Sequence, residues 1–269
     1  MSKHSSTVYD MLMFYKNGQK HMISSGGKGE INLWSWNKNK PDILKHLKLY
    51  KFDEDLRVIS IAICPNYSGD ESTVRPILCV LSDGSIYSLT IKDSHFSVMD
   101  KFVEDVKWMF TKIVGIGCNK FASITTHGYL YIFEVSDCGV IFHAQTIHIE
   151  SCGLSALAFS QDNCIIVGSE SGRIHIVSDY VKVAEARYHT STCTGICAKR
   201  CEKGEINIFS VSLDCRISHY SFNGKRKELI FQKGKVLSIS DPACVTESYG
   251  KILISGAGIE QLDRKIFEI

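Results

Sequence analysis

Self-similarity at a fixed period outranks any local reading of secondary structure, because it makes every copy one unit of a repeated architecture. In this chain VGSESGRIHIV (167–177) runs from a short apolar strand, through a polar turn on Gly172, into an alternating strand with Ile174 and Ile176 on one face. Aligned on that turn, further copies are SSGGKGEINLW ending at Trp34, CVLSDGSIYSL ending at Leu89, SITTHGYLYIF ending at Phe133 and SVSLDCRISHY ending at Tyr220, with a weaker one in LISGAGIEQL. The matching apolar positions are Ile31, Ile86, Leu130, Ile174, Ile217 and Ile259, spaced by 55, 44, 44, 43 and 42 residues.

Each copy carries the same order of signals. The fourth has an alternating segment at Leu154 to Phe159, a second strand at Cys164 to Gly168, a third at Arg173 to Val177 and a fourth at Val181 to Glu185. Four short strands in about 40 to 45 residues describe one blade of a WD40-type β-propeller. A lone four-stranded sheet cannot bury both faces, so stacked neighbours must supply the core. The sequence therefore predicts an all-β fold, a single propeller over 1–269 with six blades. Val8 to Phe14 opens the first blade. Seven blades stay open if the long first step hides an insertion, or if Phe96 to Met109 adds a sheet. The best candidate for a helix, DILKHLKLYKF (42–52), is as readily an outer strand, since its leucines lack helical spacing.

The standard marks of this repeat are weak. Trp-Asp endings are replaced by Trp34-Ser35, Ser88-Leu89 and His219-Tyr220, and no Gly-His dipeptide occurs. Two histidines stand just before a first strand, His148 in HIESCGLSAL and His189 in HTSTCTGICA, and Asp83 and Asp214 occupy the tight-turn position. The expected role of all four is a buried hydrogen-bond network inside a blade, not catalysis.

No motif carries catalytic chemistry. GSESG (168–172) has Glu170 where a nucleophile elbow needs serine, and two strands flank it where that motif needs a strand entering a helix. GGKG (26–29) lacks the spacing and the following helix of a phosphate loop. The 11 cysteines are an odd count without a C-x-x-C pair, as expected of reduced thiols used as small core residues. The cluster Cys193, Cys197 and Cys201 lies in a strand-like pattern that points the side chains apart, against a metal site. Asn66-Tyr67-Ser68 is a formal glycosylation sequon, read as a polar loop. With no secretory pattern at the N-terminus and no apolar run of membrane length, the expectation is a cytoplasmic protein without membrane contact, cofactor or enzymatic activity.

A net charge of +2 does not demand nucleic acid, yet the cations are unevenly spread. Lys38, Lys40, Lys45, Lys48 and Lys51 follow the first repeat, and Lys225, Arg226, Lys227, Lys233 and Lys235 lie between the fifth and sixth. In a closed six-bladed ring these segments fall on neighbouring blades and would form a basic patch for phosphates. Asp42, Asp53 and Glu54 among them fit solvated loops equally well.

The segments HMISSGGKGEINLWSW (21–36), DLRVISIAI (55–63), ILCVLSDGSIYSL (77–89), HIESCGLSALAF, CIIVGSESGRIHI, ARYHTSTCTGI, IFSVSLDCRISHYSF and VLSISDPACVTESYGKILISGAGIEQLD follow in this order over nearly the whole chain. Together they resemble the C-terminal propeller of the WD repeat-containing protein 6 family, the WD40 adaptors of an FtsJ-like tRNA ribose 2′-O-methyltransferase. The Ser-Gly-Gly opening, DLRVISIAI and the closing block discriminate best. The resemblance implies the last of three propellers of a longer protein, and a non-catalytic role in holding tRNA and methyltransferase together while the wobble nucleotide is modified. It carries over no catalytic residue. The competing expectation is a general protein scaffold, such as a ubiquitin-ligase substrate receptor or a trafficking subunit; Leu213-Asp214-Cys215-Arg216 comes near a ligase-adaptor box.

Overall fold

A computed structural model describes residues 3–16, 18–37, 43–64, 76–92, 95–104, 108–160, 163–201 and 204–267. Every strand among them lies in one of six antiparallel sheets, the blades of a six-bladed β-propeller. The first sheet is β1 (Val8–Lys16), β2 (Gln19–Gly26), β3 (Glu30–Trp36) and β4 (Leu44–Lys51). The second is β5 (Val58–Ile63), β6 (Ile77–Leu81), β7 (Ile86–Lys92) and β8 (His95–Phe102). The third is β9 (Phe110–Gly117), β10 (Lys120–Thr125), β11 (Tyr129–Val135) and β12 (Ile141–His148). The fourth is β13 (Leu154–Ser160), β14 (Cys164–Ser169), β15 (Arg173–Ser178) and β16 (Val181–Arg187). The fifth is β17 (Cys193–Arg200), β18 (Ile206–Ser212), β19 (Arg216–Asn223) and β20 (Glu228–Val236). The sixth has three strands, β21 (Cys244–Ser248), β22 (Lys251–Ser255) and β23 (Ile259–Asp263), followed by a 3-10 turn at Arg264–Phe267.

Strands pair in sequence order within each sheet, as short hairpins dictate. Within the 42–52 segment Leu44–Lys51 is strand β4, and among the described residues the stretch from Phe96 contributes the outer strand β8 and not an extra sheet. Two compact units are present, Met1–Ser123 with Tyr131–Thr146, and Ile124–Leu130 with Ile147–Ile269.

Burial falls from the inner strands outward, and residue choice follows it. β6 (ILCVL) and β14 (CIIVGS) are buried at every position, because a middle strand meets a neighbouring sheet on both faces and so needs a continuous apolar run. Outer strands such as β16 and β20 are largely exposed and alternate with charge. In the first unit Phe14, Ile23, Ile31, Leu33, Val58, Ile61 and Ile77 form one core between the first two sheets. The second unit has a core of Ile166, Ile174, Ile176, Ile208 and Phe222 between the fourth and fifth sheets, and another of Phe209, Val211, Ile217, Ile252, Ile254 and Leu262 between the fifth and sixth. Polar latches join the same pairs of sheets. Asp10 Oδ2 accepts from Ser60 Oγ at 2.9 Å and the Ile61 N–H at 3.1 Å, Ser155 Oγ donates to the Cys193 carbonyl at 2.6 Å, and Thr194 Oγ1 donates to the Pro242 carbonyl.

Five of the six repeat positions, Ile31, Ile86, Leu130, Ile174 and Ile217, have no exposed surface. Ile259 breaks the pattern at 80% exposed. The hairpin register gives the reason. Ile174 pairs with Gly168 and stands two residues after Gly172; the equivalent pair in the sixth sheet is Glu260 with Ile254, two residues after Gly258, so with turns of equal length Ile259 stands at the phase of Arg173. A slip of one residue moves a strand side chain to the opposite face, so Ile252, Ile254 and Leu262 fill the core and Ile259 points outward.

Candidate functional site

The polar groups buried in the blades come from one recurrent placement. In three blades a side chain four residues before the first strand enters the sheet, and in the fourth and fifth the segment that carries it crosses the hairpin of the preceding blade. These residues are His4 before Val8, Glu150 before Leu154 and His189 before Cys193. The crossing is tight. A Cβ on Gly172 would lie 2.5 Å from the His189 carbonyl oxygen, and one on Gly128 would lie 1.7 Å from that of Glu150, so only glycine fits either turn.

In the fifth sheet His189 Nδ1 lies 3.2 Å from both carboxylate oxygens of Asp214, and its Nε2 lies 2.8 Å from Ser210 Oγ and 3.0 Å from Ser218 Oγ. The two serines are 2.6 Å apart. Asp214 also accepts the N–H groups of Thr190 at 2.9 Å and Arg216 at 3.1 Å. Burial lowers the pKa of His189 although Asp214 opposes the shift. A neutral imidazole satisfies every partner, with Nδ1–H donating to the carboxylate and Nε2 accepting from a serine. Serine, histidine and aspartate touch here in the order that acyl transfer uses. However, Ser210 and His189 have no exposed surface, so a substrate cannot reach the hydroxyl as the sheet stands.

The first sheet repeats the design. His4 Nε2 is 2.7 Å from Ser24 Oγ, Trp34 Nε1 donates to the same oxygen at 2.8 Å, and His4 Nδ1 faces Glu30 Oε2 at 3.5 Å. Glu30 also accepts from the backbone N–H and the hydroxyl of Ser5, at 2.8 and 2.6 Å.

The fourth sheet exchanges the roles of acid and base. Glu150 takes the connecting position and accepts from Ser171 Oγ at 2.8 Å, Arg173 Nη1 at 2.5 Å and His175 Nε2 at 3.0 Å, while His175 Nδ1 faces Glu185 Oε2 at 3.4 Å. Burial works against ionising Glu150, but hydrogen bonds from Ser169, Ser171, His175 and Arg173 prevail and hold its carboxyl at about 2. Burial lowers the pKa of His175.

His148, expected in this network, stands two residues too early. Its side chain is exposed on the end of β12, with its ring 5.1 Å from that of Tyr129. Asp83 is exposed and closes its own turn, accepting the Ser85 N–H at 3.0 Å and the Ser85 hydroxyl at 2.5 Å. Glu170 is exposed at a hairpin between β14 and β15, and 26–29 is the hairpin between β2 and β3. Cys193 packs against Gly168 of the fourth sheet whereas Cys197 packs on the sixth-sheet side, because a bulge between Cys193 and Gly195 reverses the alternation. Cys201 lies beyond the end of β17, and all three thiols are free. No group of three or more metal-ligating side chains occurs among the described residues, nor a helix long and apolar enough to cross a membrane.

The cations divide between the units. Lys45, Lys48 and Lys51 are exposed along β4, and Lys51 pairs with Glu54. Lys225, Arg226 and Lys227 are exposed in the turn between β19 and β20, where Asn223 Oδ1 accepts the N–H groups of Lys225 and Arg226, each at 3.1 Å. Lys233 is exposed on β20, whereas Lys235, near the opposite end of that strand, is half-buried and pairs with Glu260 at 3.4 Å. Lys38, Lys40 and the Asn66 sequon lie outside the described residues. No protein-family model matches the chain, and no curated protein matches it.

Proposed function

We propose that this chain is a non-catalytic cytoplasmic adaptor that supports ribose 2′-O-methylation of the tRNA wobble nucleotide by binding an FtsJ-like methyltransferase, tRNA, or both. The sequence resemblance to the last propeller of the WD repeat-containing protein 6 family supplies the partner. The observation that favours an anionic ligand is the turn of Lys225, Arg226 and Lys227, three exposed cations, with Asn223 Oδ1 holding the backbone N–H groups of the first two. Such a turn offers positive charge without sequence readout, as befits phosphate contacts. The buried polar networks have a structural role in this reading, so the chemistry belongs to the partner enzyme.

A methylation assay with purified tRNA, S-adenosylmethionine and the FtsJ-like enzyme tests the reading. Adding the chain is expected to raise the rate and to bring enzyme or tRNA down with it. No stimulation and no association would refute it.

One observation favours a general protein scaffold. Tyr9, Met11, Met13 and Tyr15 alternate along β1 and are all exposed, an apolar strip of the kind protein partners cover.

A further inference from the structure

Two hairpins of the second unit hold a tyrosine in a left-handed backbone. The β21–β22 hairpin turns through Tyr249 (φ 49°) and Gly250 (φ 72°) between the paired residues Ser248 and Lys251. The β15–β16 hairpin turns through Asp179 (φ 50°) and Tyr180 (φ 62°) between Ser178 and Val181. Two-residue turns with both φ values positive favour Asn-Gly or Asp-Gly, since bulkier side chains resist this conformation. Tyr249 stands where asparagine is preferred, and Tyr180 where glycine is preferred. Neither fold nor solubility accounts for Tyr249, whose side chain is 99% exposed. Strain of this kind, held at a surface tip, points toward binding.

Both tips share one edge of the unit with the basic turn. The starts of β13 and β17 touch through Ser155 and Cys193, so their far ends also lie side by side. Lys199, near the far end of β17, is 3.6 Å from Glu247 near the far end of β21, and Arg264 Nη1 donates to the same carboxylate at 2.8 Å. The hairpin turns after β15, β19 and β21 therefore open on that edge. Tyr180, the Lys225–Lys227 turn and Tyr249 stand on successive blades, with exposed Lys265 beyond them. Among the acids there, Glu247 is neutralised by Lys199 and Arg264, Asp263 pairs with Lys251 at 2.9 Å, and Glu205 accepts from Asn223 at 3.4 Å. Asp179 and Glu228 stay exposed, set against Lys225, Arg226, Lys227 and Lys265.

We propose that this edge binds single-stranded nucleic acid, with bases stacking on Tyr249 and Tyr180 and phosphates held by Lys225, Arg226, Lys227 and Lys265. Tyr249 offers a fully exposed face and the half-buried Tyr180 a partial one; aromatic faces beside cations bind single strands with little sequence preference, because every base presents a π-face. The proposal rests on the phosphate-contact reading of the Lys225–Lys227 turn and adds the stacking partners that select a single strand over a duplex.

The test is fluorescence anisotropy of the full chain with a labelled uridine oligomer of about 15 nucleotides, and with the same length as a duplex. Tyr249→Asn removes the face while giving the turn a residue it favours, so it should raise thermal stability and weaken single-strand affinity about 5- to 100-fold. Tyr249→Phe keeps the face and should keep the affinity. Replacing Lys225, Arg226 and Lys227 by Gln should weaken binding and flatten its salt dependence. Unchanged affinity in Tyr249→Asn and Tyr180→Asn, or equal affinity for duplex and single strand, would overturn the stacking proposal. If the Gln variant nevertheless loses binding, the phosphate reading stands without it. If the wild-type chain binds no oligomer at either about 50 or 200 mM salt, both fall.

Discussion

Replacing His189 with Ala measures what a buried polar network contributes to a blade. The variant leaves the Asp214 carboxylate with the Thr190 and Arg216 N–H groups but without the imidazole, and the Asp214 side chain is only 7% exposed, so water does not easily take the vacated place. An under-satisfied buried acceptor costs about 1–3 kcal/mol. Ser210 and Ser218 keep each other at 2.6 Å, so the serine pair adds little. The lost ring also leaves a void beside Tyr188, whose ring centre is 5.7 Å away, for on the order of 1 kcal/mol more. The expected loss is thus about 2–4 kcal/mol, read by urea unfolding with linear extrapolation. Residues in one network couple, so Asp214→Asn combined with His189→Ala should cost less than the two separate losses added, by about 0.5–3 kcal/mol. His148→Ala, on an exposed side chain, is the control and should stay within about 0.5 kcal/mol of the wild type. A His189→Ala loss below about 0.5 kcal/mol, or strict additivity with Asp214→Asn, would refute the reasoning.

Ile174→Ala empties a fully buried site between the fourth and fifth sheets and should cost about 2–5 kcal/mol by the same unfolding measurement; a loss near zero would mean those sheets do not pack there. Stability should fall as pH drops below 6.5. Burial lowers the pKa values of His175, His189 and His219, the last to about 4, so the unfolded chain takes up these protons first. A further loss should follow from pH 4.5 toward 2, as the hydrogen-bonded Glu150 carboxyl is protonated, and Glu150→Gln should remove that lower part. Unfolding midpoints that stay level from pH 7 to about 4.5 would contradict the histidine assignment.

The blade pattern is legible in the sequence because turn and strand signals are local and recur. LSALAF, CIIVG, RIHIV and VKVAE fall within β13, β14, β15 and β16, and Leu44–Lys51 of the 42–52 segment, open between helix and outer strand, is the outer strand β4. Phase is harder to read. In the sixth sheet the turn has the same length as in the fourth, and Glu260, two residues after Gly258, stands where Ile174 does; Ile259 is the apolar residue nearest that position but one residue out of phase, which composition alone does not show. The polar networks are half legible: His189 and Asp214 meet as expected, but Glu150 escapes a pattern keyed to histidine, because the position is defined by its distance from the first strand. Counting four residues back from Leu154, as from Cys193 to His189, reaches it. His175 looks like an ordinary strand residue, and only cross-strand geometry reveals its carboxylate partners. The strain at Tyr180 and Tyr249 lies in backbone angles, although hairpin tips that lack the usual Asn-Gly are visible as VSDYVK and ESYGKI.

The salt dependence of tRNA affinity tests the central claim, that this propeller is a binding platform which meets nucleic acid through phosphates. The measurement compares the wild-type chain with one carrying Lys225→Gln, Arg226→Gln and Lys227→Gln. Wild-type affinity should fall steeply with salt, and the variant should bind more weakly, its log–log slope smaller by about one unit for each phosphate no longer neutralised. Affinity for tRNA that is absent, insensitive to salt, or unchanged in slope by the three substitutions would contradict the account.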